Sequence, residues 1–284
     1  MQPLTIDGLL EEGRFWLAAA PFKPARREAG LILGHVLGLD EARLLARGES
    51  PVASAEAARF RQLLTRRLAG EPVAYLFGSK EFYGRDFAVD SRVLIPRPET
   101  EHLVEAALAA ELPESPRIAD IGTGSGCLAI TLAREIETAQ VCATDIDIGA
   151  LEVAKKNVAR HGVARRVYLS RGDLTAGLDL GKFDLLVSNP PYVATGASGS
   201  PISPEVVSFE PHLALFARGQ GRGFLRDLMD AARRLRPGVL MLLEIGFDQG
   251  DWIEEAAERR RHLQLEEIVR DYGGHRRSAI LRRS

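Results

Sequence analysis

The chain has very little cysteine, no large excess of either charge and no long apolar run, and each shortage removes a class of function. Among its 284 residues only Cys127 and Cys142 are cysteines. One stands beside a glycine-rich loop and the other in an apolar strand pattern, without metal-ligand spacing, so both read as buried thiols. The formal charge is −2, and division at Pro98 gives 14 basic against 12 acidic residues before it and 23 against 27 from it onward. Neither half has the excess expected of a duplex-binding protein. Arg259, Arg260, Arg261, Arg276, Arg277, Arg282 and Arg283 gather near the end, but Glu266, Glu267 and Asp271 lie among them, as on a solvated surface. The first stretch, MQPLTIDGLLEEGRFWLAAA, lacks a charged segment leading into an apolar one, and no run approaches membrane length. A reducing cytoplasm is therefore the expected setting, with no membrane partner. Internal repeats and low-complexity segments are also missing.

What is present suffices for a full core, since 45% of the residues are apolar. Residues 5 to about 70 read as a small helical bundle. Leu9, Leu10, Trp16 and Leu17 mark a first helix, and Ala29, Leu31, Ile32, Leu33, Val36 and Leu37 a second, opened by Pro24 and closed by Gly38. A short segment runs from Asp40 to Arg47, and Ser54 caps a fourth helix carrying Phe60, Leu63, Leu64 and Leu68. No cluster of catalytic residue types occurs there, and His35 reads as a core or edge histidine. From 73 to 95 the runs become β-rich around a turn at Gly84, which predicts a hairpin. Pro96 and Pro98 then mark a boundary, giving a helical domain at 1–72, a hairpin connector at 73–97 and a larger domain at 98–284.

That larger domain alternates. Strands are predicted at 117–121, 140–144, 166–170, 184–187, 239–245, 263–271 and 278–282, with helices at 126–134, 148–161, 223–235 and 250–260. Such alternation means an α/β fold, a Rossmann-like, seven-stranded sheet covered on both faces. The small, polar stretch ATGASGSPISPE after Tyr192 reads as a mobile lid.

The fourth strand ends in Asn189, Pro190, Pro191 and Tyr192. Two successive prolines cannot donate to a sheet ladder, so the strand must stop there, where open α/β sheets form their ligand crevice. An amide side chain, a proline carbonyl and an aromatic ring suit a flat, uncharged NH2 group. The lone pair of a carboxamide or adenine amino nitrogen is delocalised, which makes it a poor nucleophile. Asn189 Oδ1 and the Pro190 carbonyl can each accept from that NH2, drawing density onto nitrogen as positive charge develops, while Tyr192 packs on the planar face. The alternative is a Pro-Pro turn after a buried strand, with Asn189 as turn residue and Tyr192 as core.

Asp120-Ile121-Gly122-Thr123-Gly124-Ser125-Gly126 follows the first strand and opens a helix, so its backbone can approach a ligand closely. The spacing GxGxG differs from that of dinucleotide folds. Asp145 ends the next strand, where a carboxylate can take both ribose hydroxyls, and Asp173 with Leu174 can meet an adenine. Either aspartate could instead cap the following helix. The joint pattern points to a nucleoside cofactor.

Together these residues resemble a class I S-adenosylmethionine-dependent methyltransferase of the amino-methylating kind. Gly70-Glu71-Pro72-Val73-Ala74-Tyr75, Glu81-Phe82-Tyr83-Gly84, Ile95 to Glu101, Phe209-Glu210-Pro211, Leu243-Glu244-Ile245-Gly246 and Arg270-Asp271-Tyr272-Gly273 narrow it. From about residue 70 to the end they resemble, in order, the peptide chain release factor glutamine methyltransferases. The resemblance implies that Asn189, Pro190, Pro191 and Tyr192 hold the glutamine of the Gly-Gly-Gln loop of class 1 release factors. It also implies that Gly122 to Gly126, Asp145, Leu174 and Asn189 face S-adenosylmethionine, whose adenine Asp173 can meet from its strand end. Two departures bear on affinity: Leu174 stands where the family usually has an aromatic residue, and the loop Ala217 to Gly223 carries two arginines in place of an acidic residue. A ribosomal protein is a second candidate substrate, and a DNA adenine methyltransferase is the nearest rival, although it would want a basic recognition domain. A non-catalytic cofactor-binding partner of the translation machinery is disfavoured by the intact tetrapeptide. A monomer acting without direct nucleic-acid contact is expected.

Overall fold

The computed structural model describes residues 4–18, 25–194 and 203–284. Most of the expected lid, and Pro24, lie outside the described residues. Chain contacts divide the protein into two units: residues 1–78 with Pro204–Phe209, and residues 79–203 with 210–284.

The first unit is helical. Its helices are α1 (Ile6–Ala18), α2 (Ala25–Leu37), α3 (Glu41–Ala46), α4 (Ser54–Leu68) and α5 (Val73–Phe77), joined by a later segment, α9 (Pro204–Phe209). Apolar residues at helical spacing, among them Leu9, Leu17, Ile32, Leu33, Phe60, Leu63 and Leu64, meet in one core. Asp40 caps α3 by accepting from the Arg43 N–H at 2.8 Å. Ser54, expected as a cap, is instead the first helical residue, and Glu56 reaches back to the Ala53 N–H. His35 is an edge residue, exposed and stacked on Phe77 with ring centroids 4.1 Å apart. Leu31, expected on the apolar face, is also exposed. The β-rich reading of residues 73 to 77 is corrected, because Pro72 opens a helical turn that Gly78 closes at φ 68°. Arg67 of α4 is 2% exposed and pairs with Glu28 of α2 at 2.6 Å and Glu205 of α9 at 3.1 Å, which fastens α9 to this unit.

The second unit opens with the expected hairpin, β1 (Ser79–Phe82) and β2 (Arg85–Ala88), turning through Tyr83 and Gly84, both with positive φ. Its sheet strands are β3 (Arg117–Ile121), β4 (Gln140–Asp145), β5 (Val167–Arg171), β6 (Leu185–Ser188), β9 (Leu240–Glu244), β10 (Leu263–Arg270) and β11 (Arg276–Arg283). They form a seven-stranded sheet in the order β10-β11-β9-β6-β3-β4-β5, in which β3, β4, β5, β6 and β9 are parallel neighbours and β11 runs against β9 and β10. Helices α6 (Glu101–Ala109), α7 (Cys127–Glu135) and α8 (Ile148–Arg160) supply the core on one face. On the other face the core comes from α11 (Gly223–Ala231) and α12 (Gly250–Glu258). The two-residue period of a strand explains how β6 serves both: Leu185 and Val187 enter the first core and Leu186 the second. A small parallel pair, β7 (Val193–Ala194) with β8 (Phe216–Ala217), and the short α10 (His212–Leu215) stand beside the sheet. After β3 the chain proceeds through β4 and β5 to one side, and β6 then returns to the other side of β3. This reversal opens a crevice beyond the carboxyl ends of the strands.

Candidate active site

A cavity of about 300 Å³ occupies that crevice, at the lower end of the size range of small-molecule sites. Its wall includes Gly122, Thr123, Gly124 and Ser125 after β3, Asp145 at the end of β4, Asp173 and Leu174 after β5, and Asn189, Pro190 and Pro191 after β6. Of the residues singled out in the sequence, Gly126 and Tyr192 are not part of the wall.

The glycine loop divides in role. Gly122 and Gly124 have φ of 73° and 54°, and a Cβ on either would meet nothing within 4 Å, so their backbone borders open space that a ligand can use. Gly126 differs: a Cβ there would lie 3.0 Å from Ile130 Cδ1 and 3.3 Å from Ala154 Cβ. Its smallness lets α7 approach α8. Asp120, fully buried, accepts from Thr123 Oγ1 at 2.6 Å and so fixes the loop, and burial pushes its carboxyl up to about 7.

Asp145 accepts from the Gly124 N–H at 2.9 Å through Oδ2 and from the Asp147 N–H at 3.0 Å through Oδ1. The helix cap is Asp147, which accepts from the Gly149 N–H, so Asp145 is not the cap of α8. Burial raises the Asp145 carboxyl above its ordinary value, and the backbone donors at Asp147 and Gly124 oppose that rise. Asp173 is exposed, and Leu174 is held at φ 51°, a left-handed backbone uncommon for leucine and found where surroundings impose it. Cys127 is only partly buried and lines the cavity, which corrects its reading as a buried thiol; desolvation nonetheless pushes its pKa up to about 12 and keeps it unreactive. Cys142 is likewise only half-buried.

The tetrapeptide is braced from behind by Thr100 and Glu244, residues remote from it in the chain. Asn189 donates through Nδ2 to Thr100 Oγ1 at 3.0 Å, Thr100 donates to Glu244 Oε2 at 2.6 Å, and the Tyr192 hydroxyl donates to Glu244 Oε1 at 3.3 Å. Strand register explains the meeting, because Ser188 pairs with Leu243 and the next residues out are Asn189 and Glu244. The Tyr192 hydroxyl is thus directed at Glu244. The Tyr192 carbonyl accepts from Gln249 Nε2 at 3.2 Å, and the same nitrogen donates to the Gly221 carbonyl at 3.1 Å. A Cβ on Gly221 would fall 2.2 Å from the Tyr192 carbonyl oxygen, so that close approach requires glycine. Arg97 and the Ile95 N–H both bind Glu210, at 2.6 and 3.0 Å, holding the turn before Thr100. A signal for Glu244 stood in the sequence: it is the one carboxylate in LMLLE, a strand buried throughout.

The arrangement can hold an extended nucleoside along the glycine loop and a planar amide at Asn189, in one cavity. Comparisons with known proteins agree with it. Residues 8–78 match the PrmC N-terminal domain and residues 100–212 the methyltransferase small domain. The release factor glutamine methyltransferase of Moorella thermoacetica is 45% identical, with 95% of this chain and 96% of that protein covered. That of Nitratidesulfovibrio vulgaris is 40% identical, with 99% and 96% covered. Among solved structures, a methyltransferase from Pyrococcus furiosus aligns at a TM-score of 0.52 and 22% identity, covering 78% of this chain and 97% of that one, a likeness of fold. The extent and level of identity to the curated relatives decide the matter: the chain belongs to the release factor glutamine methyltransferase family.

Proposed function

We propose that this protein transfers the methyl group of S-adenosylmethionine to the side-chain amide nitrogen, N5, of the glutamine in the Gly-Gly-Gln loop of class 1 peptide chain release factors. The observation that carries the reading is the orientation of Asn189. Its Nδ2 is engaged by Thr100, so Oδ1 is the end of the amide left to receive a substrate NH2, at the wall of the cavity that the glycine loop also lines.

The cavity fits the cofactor. Gly122 and Gly124 border open space where a side chain would intrude, Asp145 retains lone pairs beyond its two backbone contacts for a pair of ribose hydroxyls, and Asp173 with Leu174 stands at the adenine end. When bound, the cofactor supplies an electrophilic methyl group on a sulfonium. The chain's own contribution is placement and polarisation. Asn189 Oδ1 and the Pro190 carbonyl accept from the substrate NH2, fix its plane and stabilise the positive charge that grows on nitrogen, while Pro191 limits the opening. The Tyr192 hydroxyl, through Glu244, keeps the tetrapeptide in register. No enzyme base is required, since the methylated amide nitrogen is strongly acidic and sheds its proton to water.

The helical unit has its own core and no reactive cluster, and we assign it to docking of the large protein substrate. The reading carries with it a monomeric, cytoplasmic enzyme without direct nucleic-acid or membrane contact. The net charge of −2 supports the part that concerns nucleic acid, and no helix among the described residues is long and apolar enough to cross a membrane. Labelled S-adenosylmethionine, incubated separately with purified release factors, ribosomal proteins and DNA, tests the reading. Label should enter the release factor at the Gly-Gly-Gln glutamine. Label confined to a ribosomal protein or to DNA would replace the substrate named here.

A further inference from the structure

Glu244 lies behind the tetrapeptide with 1% of its surface exposed, at the end of a strand whose other residues are all apolar. A carboxylate so placed is costly unless it is hydrogen-bonded, and fold alone gives no reason for it. Its two oxygens are used separately: Oε2 takes the Thr100 hydroxyl and Oε1 the Tyr192 hydroxyl. Thr100 is itself 2% exposed, and Asn189 Nδ2 meets its oxygen.

The proton directions in this chain follow from donor chemistry. An ionised carboxylate only accepts, so the Thr100 hydroxyl must point its hydrogen at Glu244. The Thr100 oxygen then has only lone pairs to offer Asn189. It can receive the NH2 end of that amide and not the carbonyl end. We propose that Thr100 and Glu244 are positioning residues for methyl transfer: by fixing the direction of the Thr100 hydroxyl they select the Asn189 rotamer that presents Oδ1, rather than NH2, to the substrate amide. This rests on the reading of Asn189 as the substrate acceptor.

If Glu244 is protonated, it donates its own hydrogen bond to the Thr100 oxygen and the direction reverses. Thr100 then donates toward Asn189, the amide turns over, and a donor faces the NH2 of the substrate. The groups that bear on Glu244 are Thr100 and Tyr192 by hydrogen bond and Glu99 and Arg277 by charge, and Glu244 in turn acts by charge on the Cys127 thiol. Burial dominates among them and raises the carboxyl to about 7, so the reversal falls within an accessible pH range. The sign is clear: methyl transfer is supported by ionised Glu244 and declines as pH falls through that value.

The test is single-turnover methyl transfer at saturating cofactor, followed against pH, for the wild type and for Thr100→Val, Thr100→Ser and Asn189→Ala, with cofactor affinity measured on each. Thr100→Val keeps the shape and removes the hydroxyl. It should slow transfer roughly 10- to 100-fold, the effect of losing one hydrogen bond that holds a reacting geometry, with cofactor affinity within about 2-fold. Thr100→Ser should restore the rate. The decline at low pH should be present in the wild type and in Thr100→Ser and largely lost in Thr100→Val, because Glu244 sets the Asn189 amide through the Thr100 hydroxyl and meets the tetrapeptide otherwise only at Tyr192. Comparing the profiles separates this ionisation from any on the cofactor. A wild-type rate in Thr100→Val, with Asn189→Ala slow, would overturn the positioning role and leave the site reading intact. The same holds if Thr100→Ser is as slow as Thr100→Val, or if all profiles share one shape. A wild-type rate in Asn189→Ala would overturn the site reading and this inference with it.

Discussion

The Gly124 N–H donates to Asp145 Oδ2 at 2.9 Å, so the turn after β3 and the carboxylate ending β4 are tied together before any ligand arrives. The same carboxylate is therefore part of the scaffold, and in the function proposed above it is also the acceptor offered to a ribose. Asp145→Ala should weaken S-adenosylmethionine binding by roughly 2 to 3 kcal/mol, the size of a lost charge-assisted, two-pronged contact. Titration calorimetry checks it, and unchanged affinity would remove Asp145 from the cofactor site.

Gly122 and Gly126 have nearly the same left-handed φ, 73° and 83°, yet different neighbours. Alanine at either position carries a backbone cost of about 1 to 2 kcal/mol. At Gly122 the new methyl enters open space on the cavity wall, so cofactor affinity should fall more than stability. At Gly126 it meets Ile130 and Ala154, so stability should fall more than affinity. Equal effects of both variants on cofactor binding would contradict this division of the loop.

Much of this was legible from sequence because period and punctuation determine it. The apolar run before Asn189 could only be a buried strand, its two prolines had to end it, and the glycines after β3 announced a close backbone approach. What stayed hidden was contact between residues remote in the chain. Thr100 and Glu244 are 144 positions apart, and only the packing of α6 against β9 brings them together, while the pairing of β6 with β9 sets Asn189 beside Glu244. The Tyr192–Glu244 contact is hidden for the same reason, since an aromatic ring beside a ligand site gives no hint that its hydroxyl is directed at a buried carboxylate. The short helix Val73–Phe77 was missed because valine, tyrosine and phenylalanine favour strands, and only Pro72 and Gly78 at its two ends argue otherwise.

Two buried carboxyls, Asp120 and Glu244, sit at about 7, above their ordinary values of 3.8 and 4.5. Between those values and about 7 the folded protein binds more protons than the unfolded chain, so their contribution to stability decreases as pH rises through that window. Glu12, Asp90 and Asp271, lowered by their arginine partners, act in the opposite sense, so the readout is the comparison: the thermal midpoint of the wild type relative to Glu244→Gln should fall from mildly acidic to neutral pH. For Glu244 this opposes the direction expected for activity, which is the pattern of a group kept for function at some cost in stability. A slope unaltered by Glu244→Gln would place its folded-state ionisation near that of the unfolded chain.

The two units have separate cores, so removing residues 1–78 should leave S-adenosylmethionine binding nearly unchanged while raising the apparent KM for whole release factor. A truncated enzyme that is shown to be folded and modifies the intact factor as well as the full chain does would exclude docking as the role of the helical unit.

Asn189 provides the most direct test of the chemistry. It follows a buried strand, only partly buried itself, and lines the cavity, so replacing it should disturb the fold little. Asn189→Ala removes the acceptor whose hydrogen bond strengthens as the substrate nitrogen becomes cationic, a loss of roughly 2 to 4 kcal/mol, or on the order of 30- to 1000-fold in single-turnover rate. Some cofactor affinity should be lost with it. Asn189→Asp keeps an acceptor but places a carboxylate where Thr100 offers only lone pairs, and that charge must be desolvated when substrate docks. Partial activity at best is expected, since Thr100 has no hydrogen to offer the introduced carboxylate while Glu244 is ionised. Rates measured at saturating cofactor distinguish the cases. Wild-type transfer by Asn189→Ala would return the tetrapeptide to the role of a turn after a buried strand, whereas slow transfer with an unchanged thermal midpoint assigns the loss to the reacting geometry.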